Sequence, residues 1–452
     1  MKVFGSSGTR GVANEELTPA FVLRVATAAG SVWDADRVAL GRDTRVTGPM
    51  LGDAAASGLQ SVGADVERLG IVPTPGLQAY CEAEAIPGIM ITASHNPAEY
   101  NGIKLVGDDG VELPVTKLER VEDVFLADSV EPIQWDQVGT SRSIDIGRDR
   151  YIDQLKTALD RDAIADAGLT VALDPGHGAG TLTSPRFLRE LGCDVVTVNA
   201  QADGHFPGRD PEPVEANLAD LGRLVRTADA DVGIAHDGDA DRAIFFDEEG
   251  SYIEGDATLA ALAAAELSAR TIAVSAVNVS QRLVDIVESI GADLELTAIG
   301  STRIITRIRE LQADGETVAV AGEGNGGIIF PDYRLARDGA YTAGKFLELL
   351  TERSAREIIE EYDGYHNDRR KIEYDTDDEL ATLQQAAADY AADADGDVTT
   401  IDGHRIDYGD AWILARPSGT EPVVRIYAEA RTPERAATLA DEIETQLVQA
   451  IE

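Results

Sequence analysis

The first third of the chain alternates between apolar patterns with the period of a helix and short apolar runs. Thr18 and Pro19 suit an N-cap and the first position of a helix, and apolar residues recur at helical spacing after them. Further elements are predicted as strands over residues 37–43, 64–70 and 88–92 and as a helix over residues 49–62. Strands that are separated by helices predict parallel βαβ units.

The same alternation starts again twice and then gives way to a different pattern. New series of strands begin at residues 169 and 271, and a glycine-rich loop follows a strand in each series. Residues 402–430 are typical of antiparallel strands, and residues 432–452 of a closing amphipathic helix. The predicted fold class is therefore α/β, with three successive mixed α/β domains of similar topology and a C-terminal α+β domain. The predicted domains cover residues 1–143, 144–248, 249–364 and 365–452.

The charge of the chain argues against several kinds of partner. Its 39 Lys and Arg residues stand against 81 Asp and Glu residues, which gives a formal net charge of −42. Nucleic acid and anionic membranes are disfavoured as partners, because both are negatively charged themselves. The acidic residues are dispersed between apolar runs, which indicates a folded protein from a halophilic organism rather than a disordered acidic tail.

The cysteines and the apolar runs bear on where the protein works. Cys81 and Cys193 lie far apart among apolar residues, so they predict neither a disulfide framework nor a metal site. No apolar run reaches the roughly 18 residues that a membrane span needs, and no signal sequence follows Met1. We therefore expect a cytoplasmic protein without a membrane partner, as a monomer or a homodimer.

The string DGDADR at residues 237–242 follows a predicted strand and holds three acids within five residues. If the segment stays extended, its period of two places Asp237, Asp239 and Asp241 on one side. Carboxylates so close together repel one another unless a cation neutralises them, and oxygen ligands select Mg²⁺. A polar turn is the alternative interpretation, because Asp-Gly is a common turn former.

Polar residues also end the strand predicted at 88–92, in the string MITASHNP. A serine can hold a phosphoryl group only where charge is neutralised beside it, and a cation bound by the three aspartates would do so. His95, Asn96 and, a little further on, Lys104 lie near Ser94 in the sequence. On these residues alone, an N-cap or turn role for Ser94 is the more common interpretation.

Three further loops carry groups that suit a phosphorylated sugar. They are ARPSGTEPVVR at residues 415–425, GEGNGG at residues 322–327 and GSSGTRG at residues 5–11. The first combines two arginines and two hydroxyls with Gly419, which fits a phosphate-binding loop; a surface turn is the alternative. In the second, Glu323 and Asn325 suit hydrogen bonds to sugar hydroxyls. In the third, Arg10 suits contact with a phosphate.

Taken in their order along the chain, the five strings resemble the signature loops of the α-D-phosphohexomutase superfamily. The resemblance runs along essentially the whole chain. It implies four domains around a central cleft, each of which contributes one loop. It also implies one Mg²⁺ per chain and the interconversion of a sugar 6-phosphate and a sugar 1-phosphate. A sugar 1,6-bisphosphate is expected as the intermediate and as an activator.

The resemblance implies a role for each candidate residue. Ser94 would carry the phosphoryl group and complete the metal shell with Asp237, Asp239 and Asp241. The other residues expected to act in catalysis are Arg10, His95, Lys104 and Arg242. Those expected to bind the substrate are Glu323, Asn325, Arg416, Ser418, Gly419, Thr420 and Arg425.

The sugar-binding loop departs from the pattern usual in bacterial members of the family. Those members usually have Ser where Asn325 stands and His where Gly327 stands, so the acid/base role of that His is unfilled or passes to another group. The loop resembles that of archaeal members that are phosphoglucosamine mutases, which makes glucosamine phosphate the expected substrate. Phosphoglucomutase/phosphomannomutase activity is the alternative, and a metal-dependent sugar phosphatase is the alternative from another class.

Overall fold

The structure is a computed structural model that describes residues 3–5, 8–418 and 421–451. The chain divides into two compact units. One comprises Met1–Thr258 with Asn325–Ile359, and the other comprises Leu259–Gly324 with Glu360–Glu452. Among the described residues, no helix has both the length and the apolar character that crossing a membrane requires.

The N-terminal region of the first unit is a six-stranded sheet covered by four helices. Its strands are β1 (Thr9–Val12), β2 (Arg37–Arg42), β3 (Asp65–Ile71), β4 (Gly88–Ile91), β5 (Tyr100–Val106) and β6 (Ser141–Ser143). Its helices are α1 (Pro19–Trp33), α2 (Gly48–Ser61), α3 (Thr74–Glu84) and α4 (Val115–Ala127). The strand order is β1-β5-β4-β2-β3-β6, and β2 is parallel to both β3 and β4. The carboxyl ends of β2 and β4 therefore lie side by side, where α/β sheets hold their ligands.

The second sheet of this unit repeats the same arrangement with five strands. The elements are α5 (Gly147–Thr157), α6 (Arg161–Ala167), β7 (Thr170–Asp174), α7 (Ser184–Glu190), β8 (Asp194–Thr197), α8 (Ala219–Ala228), β9 (Val232–Ala235), β10 (Ile244–Phe246) and β11 (Tyr252–Ile253), with 3₁₀ turns at Ala179–Leu182 and Glu215–Asn217. The strand order is β11-β10-β9-β7-β8, and β7 is parallel to both neighbours. The carboxyl ends of β7 and β9 are thus adjacent as well.

The third α/β region contributes elements to both units. Its elements are α9 (Gly255–Glu266), β12 (Ile272–Ala276), α10 (Gln281–Ile290), β13 (Asp293–Thr297), α11 (Ser301–Ala313), β14 (Val318–Glu323), β15 (Gly327–Phe330), β16 (Arg334–Arg337), α12 (Gly339–Leu349) and α13 (Ala355–Glu360). In the second unit, β12 pairs in parallel with β13 and β14. In the first unit, β15 and β16 form an antiparallel pair.

The C-terminal region is an antiparallel sheet with two helices. Its elements are β17 (His366–Glu373), α14 (Asp377–Ala392), β18 (Asp397–Thr399), β19 (His404–Asp407), β20 (Ala411–Pro417), β21 (Val423–Ala430) and α15 (Pro433–Ile451). The strand order is β17-β21-β20-β19-β18. Apolar residues of the sheet and of both helices form one buried core. Three α/β regions followed by an α+β region confirm the predicted fold class.

Buried polar contacts join the C-terminal sheet to the β12 region within the second unit. Arg405 donates to the carbonyl oxygens of Val277 and Val279 at 2.8 and 2.9 Å, and its guanidinium lies 4.1 Å from the centre of the Trp412 ring. Glu429 accepts from the indole N–H of Trp412 at 2.9 Å. A buried arginine that bonds main-chain carbonyls in this way fixes the two regions to each other.

The contact between α1 and α2 depends on a glycine. A Cβ at Gly58 would overlap the carbonyl oxygen of Leu23 and would lie 2.9 Å from Oγ1 of Thr27, so the two backbones approach too closely for a side chain. Gly52 lies on the same helix and is also buried, yet a Cβ there would meet no atom within 4 Å. The two glycines therefore have opposite packing environments.

We expect Gly58→Ala to lower the free energy of unfolding by about 2 kcal/mol, because the added methyl group overpacks the helix contact. Gly52→Ala should instead raise it by about 0.5–1 kcal/mol, the usual gain for Ala over Gly in a helix. Chemical denaturation of both variants beside the wild type measures the difference. Equal effects would contradict the described packing.

Candidate active site

Ser94 lies in a turn that follows the carboxyl end of β4. Its backbone is left-handed, with φ of 52°, and its N–H donates to Oγ1 of Thr92 at 2.9 Å. The residue is fully buried. A non-glycine residue in this conformation is uncommon and persists where the surroundings hold it in place.

A buried ion pair beyond the end of β2 holds the Ser94 turn. Arg45 pairs with Asp43 at 3.0 Å, and Asp43 accepts from Oγ1 of Thr92 at 2.6 Å. The Arg45 guanidinium also donates to the carbonyl oxygens of Ser94, Asn96, Pro97 and Tyr100. One cation thus binds four main-chain carbonyls of a single loop and fixes its course. This pair was not predicted from the sequence, although Asp43 ends the strand predicted at residues 37–43 and Arg45 follows two residues later.

The three aspartates follow β9 in a turn rather than in an extended segment. Ala240 is left-handed, with φ of 55°, and its N–H donates to the carbonyl oxygen of Asp237 at 3.2 Å. The prediction that an extended backbone aligns the acids was therefore wrong, and the alternative of a polar turn describes the backbone. The turn still gathers the acids: one oxygen from each of Asp237, Asp239 and Asp241 lies within 4.8 Å of the others.

A second buried ion pair holds the aspartate turn in the way that Asp43 and Arg45 hold the Ser94 turn. Asp174, the last residue of β7, accepts from Nε of Arg209 at 3.0 Å. Arg209 also donates to the carbonyl oxygen of His236 at 2.6 Å, directly before Asp237. The turn is therefore fixed from the neighbouring strand, as the Ser94 turn is.

Asp239 and Asp241 each accept hydrogen bonds at Oδ2 from residues in distant parts of the chain. Asp239 accepts from Oγ1 of Thr74 at 2.6 Å and from Nζ of Lys104 at 2.8 Å. Asp241 accepts from Arg337 at 2.7 Å and from Lys104 at 3.3 Å. Thr74 and Arg337 were not identified from the sequence, because nothing near them in the chain marks them.

The Oδ1 atoms of all three aspartates are buried and have no hydrogen-bond partner within the described part of the chain. Buried carboxylate oxygens are almost always satisfied in folded proteins, so three such oxygens in one place favour a bound cation. Oxygen ligands of this kind suit Mg²⁺. The residues present therefore fit the divalent metal that the sequence indicated.

Three cations lie close to the three acids: Lys104, Arg337 and Arg242, whose Nε is 3.8 Å from Oδ2 of Asp237 and 3.9 Å from Oδ1 of Asp241. Burial, and then the charges of Asp239 and Asp241, raises the pKa of the Asp237 carboxyl to about 8. Burial opposes ionisation of Asp239 too, but the charge and hydrogen bond of Lys104 hold its pKa below the usual range. The same ion pairs raise the pKa of Lys104 despite its burial. Binding of a metal ion here would therefore compete with protonation of Asp237.

Ser94 lies directly beside this turn. Its hydroxyl donates to Oδ2 of Asp237 at 2.7 Å, and its Oγ is 3.3 Å from Nδ1 of His95. Arg242 donates to that same Nδ1 at 3.0 Å, so the imidazole accepts there. The charge of Arg242, and then burial, lowers the pKa of His95 far below its usual range. His95 is therefore neutral and helps to hold Arg242 next to Ser94.

The remaining predicted residue of this group is Arg10, on β1. It donates to Oδ1 of Asn96 at 3.0 Å, two residues beyond Ser94. The structure thus brings Arg10, Ser94, His95, Lys104, Arg242 and the three aspartates together in the first unit, as one connected set of contacts.

The predicted sugar-binding residues lie on either side of the division between the units. Glu323 ends β14 in the second unit and is buried. Asn325 belongs to the first unit, and its Oδ1 accepts from the N–H of Gly327 at 3.0 Å. The carbonyl oxygen of Gly326 accepts from the N–H of Ala243 at 3.0 Å, directly before β10.

The C-terminal loop carries a row of cations. Arg416 on β20 faces Arg425 on β21, which in turn faces Lys371 on β17. Like charges directly opposite each other across paired strands are destabilising, unless an anion lies between them. Arg416 pairs with Asp402 at 3.1 Å and Arg425 with Glu421 at 2.7 Å. Lys371 is a functional candidate that the sequence analysis missed.

The structure describes only part of the loop between β20 and β21. The N–H of Ser418 donates to the carbonyl oxygen of Val423 at 2.8 Å, which closes the turn between β20 and β21. Gly419 and Thr420, which were also predicted to bind substrate, lie outside the described residues.

Comparison with known proteins identifies the family. Four family models match in order: the phosphoglucomutase/phosphomannomutase alpha/beta/alpha domains I, II and III at residues 1–131, 149–250 and 251–365, and the C-terminal domain at residues 371–446. The chain belongs to the α-D-phosphohexomutase superfamily. Phosphohexomutases are isomerases that transfer a phosphoryl group, so the chain is an enzyme of that class.

Relatives that are similar over nearly their whole length carry two different names. A phosphoglucomutase/phosphomannomutase of Thermococcus kodakarensis is 41% identical, with 96% of each chain covered. A probable phosphoglucosamine mutase of Methanopyrus kandleri is 39% identical, covering 98% of this chain and 96% of the relative. A phosphoglucomutase/phosphomannomutase family protein of Burkholderia thailandensis shares the fold, with a TM-score of 0.86, 27% identity and coverage of 99% and 97%.

Thr74 offers a test of the metal assignment that leaves every proposed ligand in place. Thr74→Val removes the hydroxyl that donates to Asp239 and keeps the shape of the side chain, whereas Thr74→Ser keeps the hydroxyl. Loss of a hydrogen bond to a metal-binding carboxylate typically weakens metal affinity about tenfold or more. We expect that loss for Mg²⁺ in the Val variant and near-normal affinity in the Ser variant, by isothermal titration calorimetry. Unchanged Mg²⁺ affinity in the Val variant would contradict the assignment.

Proposed function

We propose that this phosphohexomutase interconverts glucosamine 6-phosphate and glucosamine 1-phosphate through a phosphorylated Ser94 and a glucosamine 1,6-bisphosphate. The observation that carries the proposal is the 2.7 Å contact between the Ser94 hydroxyl and Asp237, at the edge of three buried acids with unsatisfied oxygens. A serine placed there is positioned to bear a highly charged group beside a cation. A turn or N-cap role would require none of these contacts.

In the proposed cycle, Ser94 exchanges one phosphoryl group with the substrate in each direction. The bond between the Ser94 oxygen and phosphorus breaks, while the free hydroxyl of the bound monophosphate forms a new bond to phosphorus. That hydroxyl loses a proton and the Ser94 oxygen gains one, so Ser94 is left as a free hydroxyl. The bisphosphate then returns its other phosphoryl group to Ser94. The sugar leaves with its phosphate at the second position, and the enzyme is phosphorylated as before.

The residues around Ser94 would neutralise and orient the transferred group. Asp237, Asp239 and Asp241, with an oxygen of Ser94 or its phosphate, would hold one Mg²⁺, which supplies positive charge to a transferring phosphoryl group. Arg10 and Arg242 would steady the phosphoryl oxygens. Lys104 is protonated at rest because its pKa is raised, so it is suited to donate a proton rather than to accept one.

The phosphate that does not react needs a site of its own. We assign it to the loop of Arg416, Ser418, Gly419, Thr420 and Arg425. The facing arginines and Lys371 support this assignment because they place three cations on neighbouring strands, although each also has an acidic partner. Glu323 and Asn325 would bind the sugar hydroxyls. A phosphatase, the rival from another class, has no need for a second phosphate site.

The names of two relatives bear on which sugar the enzyme uses. The relative in Methanopyrus kandleri is named a probable phosphoglucosamine mutase, whereas the one in Thermococcus kodakarensis is named for glucose and mannose phosphates. The GEGNGG loop supports the first name. Phosphoglucomutase/phosphomannomutase activity therefore remains the second candidate.

Ser94→Ala should nearly abolish mutase turnover, because the variant has no oxygen to hold the phosphoryl group between the two half-reactions. The matched control is Ser57→Ala, which removes an exposed serine whose hydroxyl bonds only the carbonyl oxygen of Asp53. We expect wild-type turnover in the control. Mutase activity in Ser94→Ala close to that of the wild type would overturn the proposed role of this residue.

Comparison of kcat/KM for glucosamine, glucose and mannose phosphates tests the assigned sugar. The assays contain Mg²⁺ and a trace of the matching bisphosphate, and they are run at molar KCl because the acidic composition suggests a salt-rich cytosol. We expect the highest value for glucosamine phosphate. A higher value for glucose or mannose phosphate would favour the second candidate, and release of free phosphate without isomerisation would favour a phosphatase.

A further inference from the structure

A cavity lies in the N-terminal α/β region, and its lining includes none of the residues assigned to the proposed reaction. It has a volume of about 380 Å³, which is within the range of small-molecule sites. It opens at the ends of β2 and β3, and its walls include Arg42, Arg68 and Arg148. None of the predicted catalytic, metal-binding or substrate-binding residues lines it.

Two of these three arginines have no acidic partner in the described part of the chain. Arg42 donates to the carbonyl oxygen of Asp43 at 3.1 Å, and Arg148 donates to that of Ile71 at 2.9 Å. Neither forms an ion pair with a carboxylate, although the protein has about two acids for each base. Half-buried guanidinium groups without a counter-ion in so acidic a chain mark a place where an anion binds.

The two carboxylates that also line the cavity do not cancel this charge. Asp53 is already paired with Arg68 at 2.7 Å. Asp145 is exposed at the rim. The lining therefore holds three arginines and two aspartates, and its net charge is positive.

Main-chain geometry adds to the attraction for an anion. Helices α2 and α5 both begin at the cavity, and neither has a side chain that caps its first turn. At α2 the N–H of Gly48 already donates to the carbonyl oxygen of Arg45 and Pro49 has no N–H, so it is the start of α5 whose N–H groups favour phosphate and reinforce the arginines. Gly52, in the first turns of α2, leaves open space where a side chain would otherwise stand.

We propose that this cavity binds a small phosphate-bearing molecule at a site separate from the active site. The guanidinium groups of Arg42 and Arg148 can form bidentate hydrogen bonds to a phosphate group, and Arg68, paired with Asp53, adds a third arginine to the wall. Arg42 is adjacent in sequence to Asp43, whose partner Arg45 holds the Ser94 turn. An anion bound here therefore lies one residue from the pair that positions the proposed phosphorylated serine.

Arginine labelling with phenylglyoxal, read by peptide mass spectrometry, tests the proposal with inorganic pyrophosphate as the probe. We expect pyrophosphate to slow the labelling of Arg68 and Arg148 by about tenfold, which corresponds to about 1.4 kcal/mol. Arg189 is the internal control. It is on the exposed side of α7, it bonds only main-chain carbonyls, as Arg148 does, and its labelling should not change.

Gly52→Leu provides a variant in which the cavity is filled without a change of charge. In this variant pyrophosphate should no longer protect Arg68 or Arg148, while mutase turnover stays near that of the wild type. If the variant does not fold, Arg148→Met replaces it, and protection of Arg68 should then fall. The proposal is overturned if pyrophosphate protects neither arginine in the wild type, if protection persists in Gly52→Leu, or if Arg189 is protected to the same extent.

Discussion

The structure around Ser94 is governed by the repulsion between three buried carboxylates. Asp237, Asp239 and Asp241 are almost completely excluded from water, and each has one oxygen without a hydrogen-bond partner among the described residues. Lys104 and Arg337 bond the Oδ2 atoms of Asp239 and Asp241, and Arg242 lies 3.8 Å from Asp237 without a hydrogen bond to it. A bound cation would relieve this repulsion, and the Ser94 hydroxyl, 2.7 Å from Oδ2 of Asp237, is close enough to share that cation.

Two similar buried ion pairs hold the Ser94 turn and the aspartate turn in place. In each α/β sheet of the first unit, a buried Asp–Arg pair at the end of one parallel strand binds main-chain carbonyls of the loop after the neighbouring strand. Asp43 and Arg45 do so for the Ser94 turn, and Asp174 and Arg209 for the aspartate turn. Because a single buried arginine satisfies several carbonyls at once, each loop is fixed without regular secondary structure. Each sheet thus holds its own polar turn in place.

The sequence predicted much of this because strand ends are marked locally. The apolar runs before Ser94 and before Asp237 identified β4 and β9, and the polar residues after them identified the two turns. Side chains that meet these turns from elsewhere were not predictable. Thr74 is 165 positions from Asp239 and Arg337 is 96 positions from Asp241, and no local pattern records such contacts. The extended backbone expected for the aspartates failed for a related reason: local alternation of acids and small residues suits a turn equally well.

The proposed mechanism requires a divalent cation, bound by the three aspartates, to lie next to a phosphate on Ser94. A ³¹P NMR spectrum of the phosphorylated enzyme, with paramagnetic Mn²⁺ in place of Mg²⁺, measures this proximity. We expect the phosphoserine resonance to broaden strongly when Mn²⁺ binds and to sharpen again when Mg²⁺ replaces it. A phosphoserine resonance that stays sharp with Mn²⁺ bound to the enzyme would contradict it.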